Sequence, residues 1–389
     1  PVRKVQMSAG VVNYNEFQFD HVKADIKQKH NVWDFNIEAP VAKGLVTYIE
    51  DEPLKVNLEY FHWPLFEITP KSGPSSKKED EDMLASIDPM TFPLMELKIG
   101  EVYLGSTNFG RWDMRVEPNS KGAHFSKIDG LIKHLAVKGD VDWVKSPDPK
   151  IQQKTNVDVL LTSRDVGAIQ RAWRIKPAVE AERGTINAKL GWLGSPVDVE
   201  IESLNGNLDV NLKDGRFIDA GDTGALNVFG ILNFSAIGRR LRLDFSDVYE
   251  SGLHFDRVKG KTLISNGIVN IVDTLKVDGP SAKFAASGTV NLVTKELKQE
   301  MSATFPITST LPFVAILAGI APPIAASLFV GERLVGDEIE KYTSATYSLT
   351  GTFKEPKLTL MKRFDNNIEG KKDKSFWLRM GDFFGVGGD

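Results

Sequence analysis

Along most of this chain, apolar and polar residues alternate one by one. Phe17 and Phe19, then Val22, Ala24 and Ile26, are separated by polar neighbours, and the beat returns in Leu54, Val56, Leu58 and Tyr60. Val32, Phe35 and Ile37 follow it with one slip. A period of two puts apolar side chains on one face of a strand and wet ones on the other. The pattern continues through Met95-Leu97-Ile99, Leu135-Val137, Val157-Val159-Leu161, Ile186-Ala188-Leu190 and Leu208-Val210-Leu212. It resumes in Leu241-Leu243-Phe245, Phe284-Ala286, Val290-Leu292, residues 297–305, Tyr347-Leu349 and Leu358-Leu360. So many segments predict well over a dozen strands. Asn205-Gly206, Asp214-Gly215, Asn266-Gly267 and Asp278-Gly279-Pro280 read as hairpin connectors, because Asn, Asp and Gly tolerate the positive φ of tight turns. No strand–helix–strand rhythm appears. The expected fold is mainly β, a long, mostly antiparallel sheet, and a doubly wound fold is excluded.

A second pattern interrupts the first. From Met301 to Gly331 there is no charged residue. About 20 apolar residues suffice to cross a bilayer, but Pro322-Pro323 removes backbone donors midway and favours two short helices meeting at a bend. A spanning helix, an interfacial or groove-capping hairpin and a buried core helix pair all remain open. Residues 224–238 form another uncharged stretch, apolar nearly all round, as in helices that are buried or in lipid. Asp165 can cap a short helix through Ala168, Ile169 and Trp173. Near the end, Phe376, Trp377, Met380, Phe383 and Phe384 share one helical face, surrounded by Lys371, Lys372, Lys374 and Arg379. That mixture suits a helix lying on a membrane; docking onto the protein's own sheet explains it equally well.

These patterns divide the chain into N-terminal strands (1–70), a flexible polar loop (71–92, containing KSGPSSKKEDED) and middle strands with a short helix near 165–174 (93–224). A C-terminal group of strands (225–310), the apolar helical hairpin (311–335), the last strands (344–361) and a tail with an amphipathic helix (362–389) complete it. The start at Pro1, with neither initiator Met nor an apolar signal core, reads as a fragment or processed form.

Composition narrows the function. The 389 residues carry 48 Lys and Arg against 52 Asp and Glu, so no broad basic field invites nucleic acid. With no cysteine, disulfides, thiolate metal sites and cysteine nucleophiles are excluded. The six histidines (21, 30, 62, 124, 134, 254) lack metal-ligand spacing and are expected to be surface or structural residues. Asp140 and Asp142, two apart on one strand, could pair for glycoside chemistry, but a wet strand face carries such residues anyway. No GxSxG, no phosphate-binding loop and no dinucleotide fingerprint is present. Neither a cofactor nor catalysis is expected.

A long sheet must hide its apolar face by closing, by pairing with a second sheet, or by curling around a ligand. Few helices are available to roof it, so a curled apolar trough suited to acyl chains is the economical solution. Bringing a sixteen-carbon chain into water costs on the order of 12 kcal/mol at about 0.8 kcal/mol per CH₂, which a continuous trough avoids throughout. Two other classes stay open: a scaffold whose apolar hairpin docks onto a partner, and a carbohydrate-active enzyme on a β-scaffold.

Particular residues carry a resemblance. The run ALNVFGILNFSAIGRRLRLDF (225–245), continuing through Ser246-Asp247 and GLHFDRVKG (252–260), is similar to the C-terminal region of the AsmA-like family. So is GIVNIVDTLKVDGPSAKFAASGTVNL (267–292), with its strand, Gly-Pro and Gly-x-Val-x-Leu hairpin. The likeness spans about Val179 to Leu360. It implies a Gram-negative envelope protein, tethered in the inner membrane by an N-terminal helix, whose repeating β-groove carries phospholipid across the periplasm. This chain would be the piece near the outer membrane, with phospholipid, that membrane surface and envelope proteins as partners and no nucleic acid. The residues expected to line the groove are Met95, Leu97, Ile99, Val157, Val159, Leu161, Ile186, Leu190, Leu208, Val210, Leu212, Leu241, Leu243, Phe245, Phe284, Val290 and Leu292. Those expected to touch a membrane are Leu311, Phe313, Ile316, Leu317, Ile320, Ile324, Leu328, Phe329, Phe376, Trp377, Phe383 and Phe384.

Overall fold

The computed structural model describes residues 3–14, 17–63, 84, 87–146, 153–218, 253–280, 282–306, 342–353 and 355–363. The strands are β1 (Arg3–Tyr14), β2 (Phe17–Lys29), β3 (Val32–Glu38), β4 (Ala42–Ile49), β5 (Leu54–Trp63), β6 (Met95–Leu104) and β7 (Thr107–Asn108), with the alternating segments of the first part forming β2, β3, β5 and β6. Then come β8 (Arg111–Asn119), β9 (Gly122–Ile132), β10 (Leu135–Lys145), β11 (Gln153–Ser163), β12 (Val179–Leu193) and β13 (Asn205–Phe217). The series ends with β14 (Leu253–Ser265), β15 (Ile268–Asp278), β16 (Lys283–Asn291), β17 (Glu296–Pro306), β18 (Tyr342–Thr352) and β19 (Pro356–Arg363). Together they make one long, open, curled sheet of 19 strands. Pairing follows chain order, each strand lying antiparallel to the next, with the short β7 hydrogen-bonded to β6 and β8 also pairing with β6.

One pair departs from the expected meander. β5 and β6 run parallel, Leu54 opposite Met95 and Leu58 opposite Ile99, because residues 64–94 return the chain from one rim to the other. The end of that connection is pinned at the second rim. Gln153, 4% exposed on β11, donates from Nε2 to the carbonyls of Leu84 (3.1 Å) and Ile87 (2.8 Å) and accepts from Trp143 Nε1 (3.0 Å). Phe92 packs edge-on against Phe125, and Asp88 Oδ1 caps the 3₁₀ turn Pro89–Thr91 by accepting from the Met90 N–H. Of the residues expected to be a polar loop, 71–83, 85 and 86 lie outside the described residues, while Leu84 and Pro89 are buried.

The turn signals divide. Asn266-Gly267 joins β14 to β15 with φ of 49° and 72°, the paired positive values of a type I′ turn. Lys133-His134 does the same between β9 and β10 with φ of 44° and 71°. Asp214-Gly215, by contrast, is not a connector. It lies within β13, where Gly215 faces Ala181 and Phe255 and Asp214 takes φ 54°. Likewise Asn205-Gly206 opens β13, with Asn205 hydrogen-bonded to Asn266. A left-handed residue can bulge a strand as readily as turn it, so dipeptide composition alone does not separate the two.

That bulge belongs to a line. On β12, β13 and β14 two consecutive residues leave the core face together: Glu182-Arg183, Lys213-Asp214 and Asp256-Arg257. Ala181, Gly215 and Phe255 stay aligned on one side of it, and Gly184, Leu212 and Val258 on the other. Because three neighbours shift in step, the apolar set keeps its face while the sheet bends, as bulged strands do. The outward side of the bend is a shallow, charge-balanced hollow lined by Arg183, Lys213, Asp214, Asp256, Arg257 and Asp278.

Helix is scarce among the described residues. α1 (Val166–Ala172) follows Asp165, whose carboxylate accepts from the Ala168 N–H at 2.8 Å, as its position in the sequence predicts. No helix among the described residues is long and apolar enough to cross a membrane. Residues 224–238, 311–335 and 376–384, all expected to be helical, lie outside the described residues.

Candidate functional site

The pairing register turns scattered apolar residues into a continuous surface. Residues directly opposite one another in a ladder share a face. Starting at the first edge, Met7 faces Ala24, Ala24 faces Ile37, Ile37 faces Gly44, Gly44 faces Leu58 and Leu58 faces Ile99. The row runs on through Trp112, Gly130, Val137, Leu161, Ile186 and Val210 to Gly260. Every strand from β1 to β14 except the short β7 contributes one residue, and each is apolar or glycine. Leu275 sits against Gly260, where a Cβ would approach its Cδ1 to 2.2 Å. From there Ala286, Met301, Tyr347 and Leu360 carry the row to the far edge.

The sequence-predicted groove residues fall on this face. Met95 and Leu97 join Ile99 on β6; Val157 and Val159 face Leu190 and Ala188, and Leu208 faces Ala188 from the other side. Leu212 connects through Val258 and Val277 to Phe284, and Leu190 through Gly206, Ile264 and Val269 to Val290. Leu292 follows the end of β16 and packs against the Val290 cluster. Leu241, Leu243 and Phe245 lie outside the described residues, as do all twelve membrane-contact candidates from Leu311 to Phe329 and from Phe376 to Phe384.

The face is not uniform. On β1, Val5, Met7 and Val11 are 45–56% exposed, and from β6 to β13 most row members are half-buried. From β14 to β18 the same face packs into two clusters where Val290, Met301 and Leu349 retain at most 1% exposure. Phe284, at 3%, and Val290 therefore hold the fold together, with almost no surface to offer a ligand in this conformation. Where the clusters meet runs a cross-strand row that is partly polar: Thr262, Ile271, Gly288, Gln299 and Leu349, with Ile271 in one cluster and Leu349 in the other. The Thr262 hydroxyl is buried there and makes no hydrogen bond among the described residues.

The opposite face is wet and paired. Lys43–Glu59 (2.9 Å), Lys98–Asp113 (3.3 Å) and Lys189–Asp158 (2.9 Å) cross neighbouring strands; exposed pairs of this kind contribute about 0–1 kcal/mol each. Asp129 is held below the usual carboxylate range by the hydrogen bond from Lys138, and Glu117 by those from Arg115 and Ser126. Asp140 and Asp142 are engaged separately, Asp140 accepting from the Lys127 N–H and Asp142 lying 2.8 Å from His124 Nδ1. No metal-binding group of side chains occurs among the described residues.

Comparison with known proteins fits this architecture to a family. The sequence model described as YhdP protein matches residues 1–358. The chain belongs to the YhdP family. The Escherichia coli (strain K12) protein named intermembrane phospholipid transporter YhdP is 23% identical over 313 residues, 80% of this chain. The chain spans 24% of that relative's length. No solved structure matches. The AsmA-like resemblance, nearest to the C-terminal region of YhdP, thus leads to the right family, and its second motif forms β15 and β16 around the Gly279-Pro280 turn.

Sequence reasoning missed part of this apolar row. Gly44, Gly130 and Gly260 carry no hydropathy signal, yet each occupies a position in it. At Gly130 the reason is visible: a Cβ would meet the Trp112 ring at 2.7 Å, so the indole lies across the strand. Trp112 Nε1 donates to the Phe109 carbonyl at 2.8 Å, which orients it. Missing side chains opposite a large one are the signal that could have located this row.

Proposed function

We propose that the chain conducts phospholipid acyl chains along the apolar face of its curled sheet, between the inner and outer membranes of a Gram-negative envelope. The observation that carries this reading is the unbroken cross-strand row from Met7 to Val210, apolar or glycine at every step. A uniform lining offers a chain nearly the same free energy at each strand, so it can move without catalysis. The half-buried section, with Met95, Leu97, Ile99, Val157, Val159, Leu161, Ile186, Leu190, Leu208, Val210 and Leu212, is where acyl chains contact the protein. The packed section from β14 to β18 serves as a rigid end. The relative's name as an intermembrane phospholipid transporter supports the same assignment. In this reading the chain works in the periplasm, near the outer membrane, within a longer protein tethered to the inner membrane.

β13 ends and β14 begins at the same rim at which β17 ends and β18 begins, because the four antiparallel strands β14 to β17 lie between the two points. The uncharged residues 311–331, Phe313, Ile316, Leu317, Leu328 and Phe329 among them, are the membrane-facing element. Organic extraction of the purified chain followed by mass spectrometry tests the conduit: recovered phospholipid is expected, and a lipid-free protein refutes it. Replacing Phe313, Ile316, Leu317 and Leu328 with Ser or Gln should leave a folded, lipid-loaded protein that no longer supports transport in cells. Full transport would dismiss the membrane role; unfolding would make the segment a core helix pair.

A further inference from the structure

If acyl chains lie on the inner face, their polar ends must emerge at a rim, where water is. One corner of the rim that carries α1 is built for charge. Trp173, at the C-terminal end of α1, stands edge-on to Phe109 of the β7–β8 connection (5.6 Å between centroids), and Lys133 Nζ lies 3.9 Å from its ring centre. Three rim connections therefore meet on one indole. Arg174, Ile175 and Lys176 follow it, all exposed. Arg171 is occupied, with Nη2 3.3 Å from Asp165 and Nη1 3.2 Å from Glu180. Lys133, Arg174 and Lys176 have no carboxylate partner among the described residues.

The backbone adds an independent observation. Lys133 and His134 (φ 44° and 71°) and Arg174 (φ 59°) all occupy left-handed positions, which Gly or Asn takes at least cost. Three basic side chains stand where the fold alone would favour small ones. The helix reaches inward too: Val166 packs against the inner-face core beside Gly184, where a Cβ would come within 2.8 Å of its Cγ2. Leu161 and Ile186 of the apolar row lie on β11 and β12, the two strands that α1 and the residues after it connect.

We propose that Lys133, Trp173, Arg174 and Lys176 form a headgroup station that receives the phosphate of a lipid whose chains lie on the inner face, favouring lipids of net negative charge. This rests on the lipid-conducting reading above. The chemistry recognised is an anionic phosphate; the lipid, not free phosphate, is its source, because the apolar row delivers it.

The test loads the full chain from vesicles of equal phosphatidylglycerol and phosphatidylethanolamine and measures the bound lipids by mass spectrometry. The wild-type chain should be enriched in phosphatidylglycerol. Arg174→Gln with Lys176→Gln should lower the enrichment by about fivefold per charge removed, with total lipid unchanged; Arg174→Lys with Lys176→Arg should preserve it. Equal loading of both lipids by the wild type, or an unchanged ratio in the Gln variant, overturns the station and leaves the conduit standing. A chain that takes up no lipid overturns both. Millimolar inorganic phosphate should not erase the enrichment; if it does, the corner is a free-anion site and the lipid assignment falls.

Discussion

Val210→Asp is the sharpest probe of the inner face. Val210 is half-buried on β13, directly between Ile186 on β12 and Gly260 on β14, with Leu275 packed over that glycine. A carboxylate there has apolar neighbours on both strands. Because Val210 keeps access to water, the substitution should cost folding only about 1–3 kcal/mol, within reach of a sheet this extensive. The cost to a bound acyl chain is separate. Strands are about 4.8 Å apart, so the section of chain crossing one strand holds roughly four methylenes. Keeping those in water instead of on the protein costs about 3 kcal/mol at 0.8 kcal/mol per CH₂, or some two hundredfold in occupancy of that section. Circular dichroism and thermal unfolding should show a folded protein, while mass spectrometry of extracted lipid and transfer between donor and acceptor vesicles should both collapse. Leu45, on the other face of β4 and 40% exposed, supplies the control, since Leu45→Asp should change neither. A folded Val210→Asp protein that carries and transfers normal amounts of lipid would show that the row is not the conduit.

Other outcomes follow from the packing. Thr262→Val, which removes a buried hydroxyl that makes no hydrogen bond among the described residues, should raise stability by about 1 kcal/mol; a lower unfolding midpoint would mean that the hydroxyl has a partner in solution. At Gly288 (φ 113°) a Cβ would lie 2.4 Å from the Lys298 carbonyl, so Gly288→Ala should open the β16–β17 ladder, whereas Gly10→Ala meets nothing within 4 Å and should be silent by hydrogen exchange and thermal unfolding. The Asp88 carboxyl is held below its usual range, first by its hydrogen bond to Lys145 and against the opposing effect of burial. Its stabilisation is full above the unfolded-state pKa of about 4 and disappears as pH falls through the lowered folded value, so Asp88→Asn should flatten the acid limb of unfolding below about pH 4. Trp377→Ser with Phe383→Ser should weaken binding to anionic liposomes if the tail lies on a membrane; unchanged binding would make it a strap or a loose end.

The period-two pattern marked β2, β3, β5, β6, β10 to β13 and β16 to β19, because half-burial imposes alternation wherever one face stays wet, and it passed over β1, β4, β7 to β9, β14 and β15. The apolar residues it picked on β6, β11, β12 and β13 share one face of the sheet. It could not reveal the parallel β5–β6 pair, since parallel and antiparallel strands alternate alike and the difference lies in residues 64–94. Nor could it recognise Asp214-Gly215 as part of a bend, because bulge and turn use the same left-handed residues. Phe284 and Met95 looked equivalent in sequence, yet one is buried in a cluster and the other half-open. Depth depends on which residues pack into the two clusters of the later strands, not on hydropathy at any one position.

The order of the strands has a consequence for how such a chain is made. Almost every ladder joins sequence neighbours, so each new strand finds its template already in place, and closure entropy stays small from one hairpin to the next. The protein can grow as a ribbon in the direction of synthesis, its stability accumulating strand by strand as in a solenoid. The β5–β6 seam is the exception, where growth must wait until a long segment has passed and a parallel register is chosen. Pauses, misregister and proteolytic nicking during assembly are expected to concentrate at that seam, dividing the ribbon into an early part of five strands and a late part built on β6.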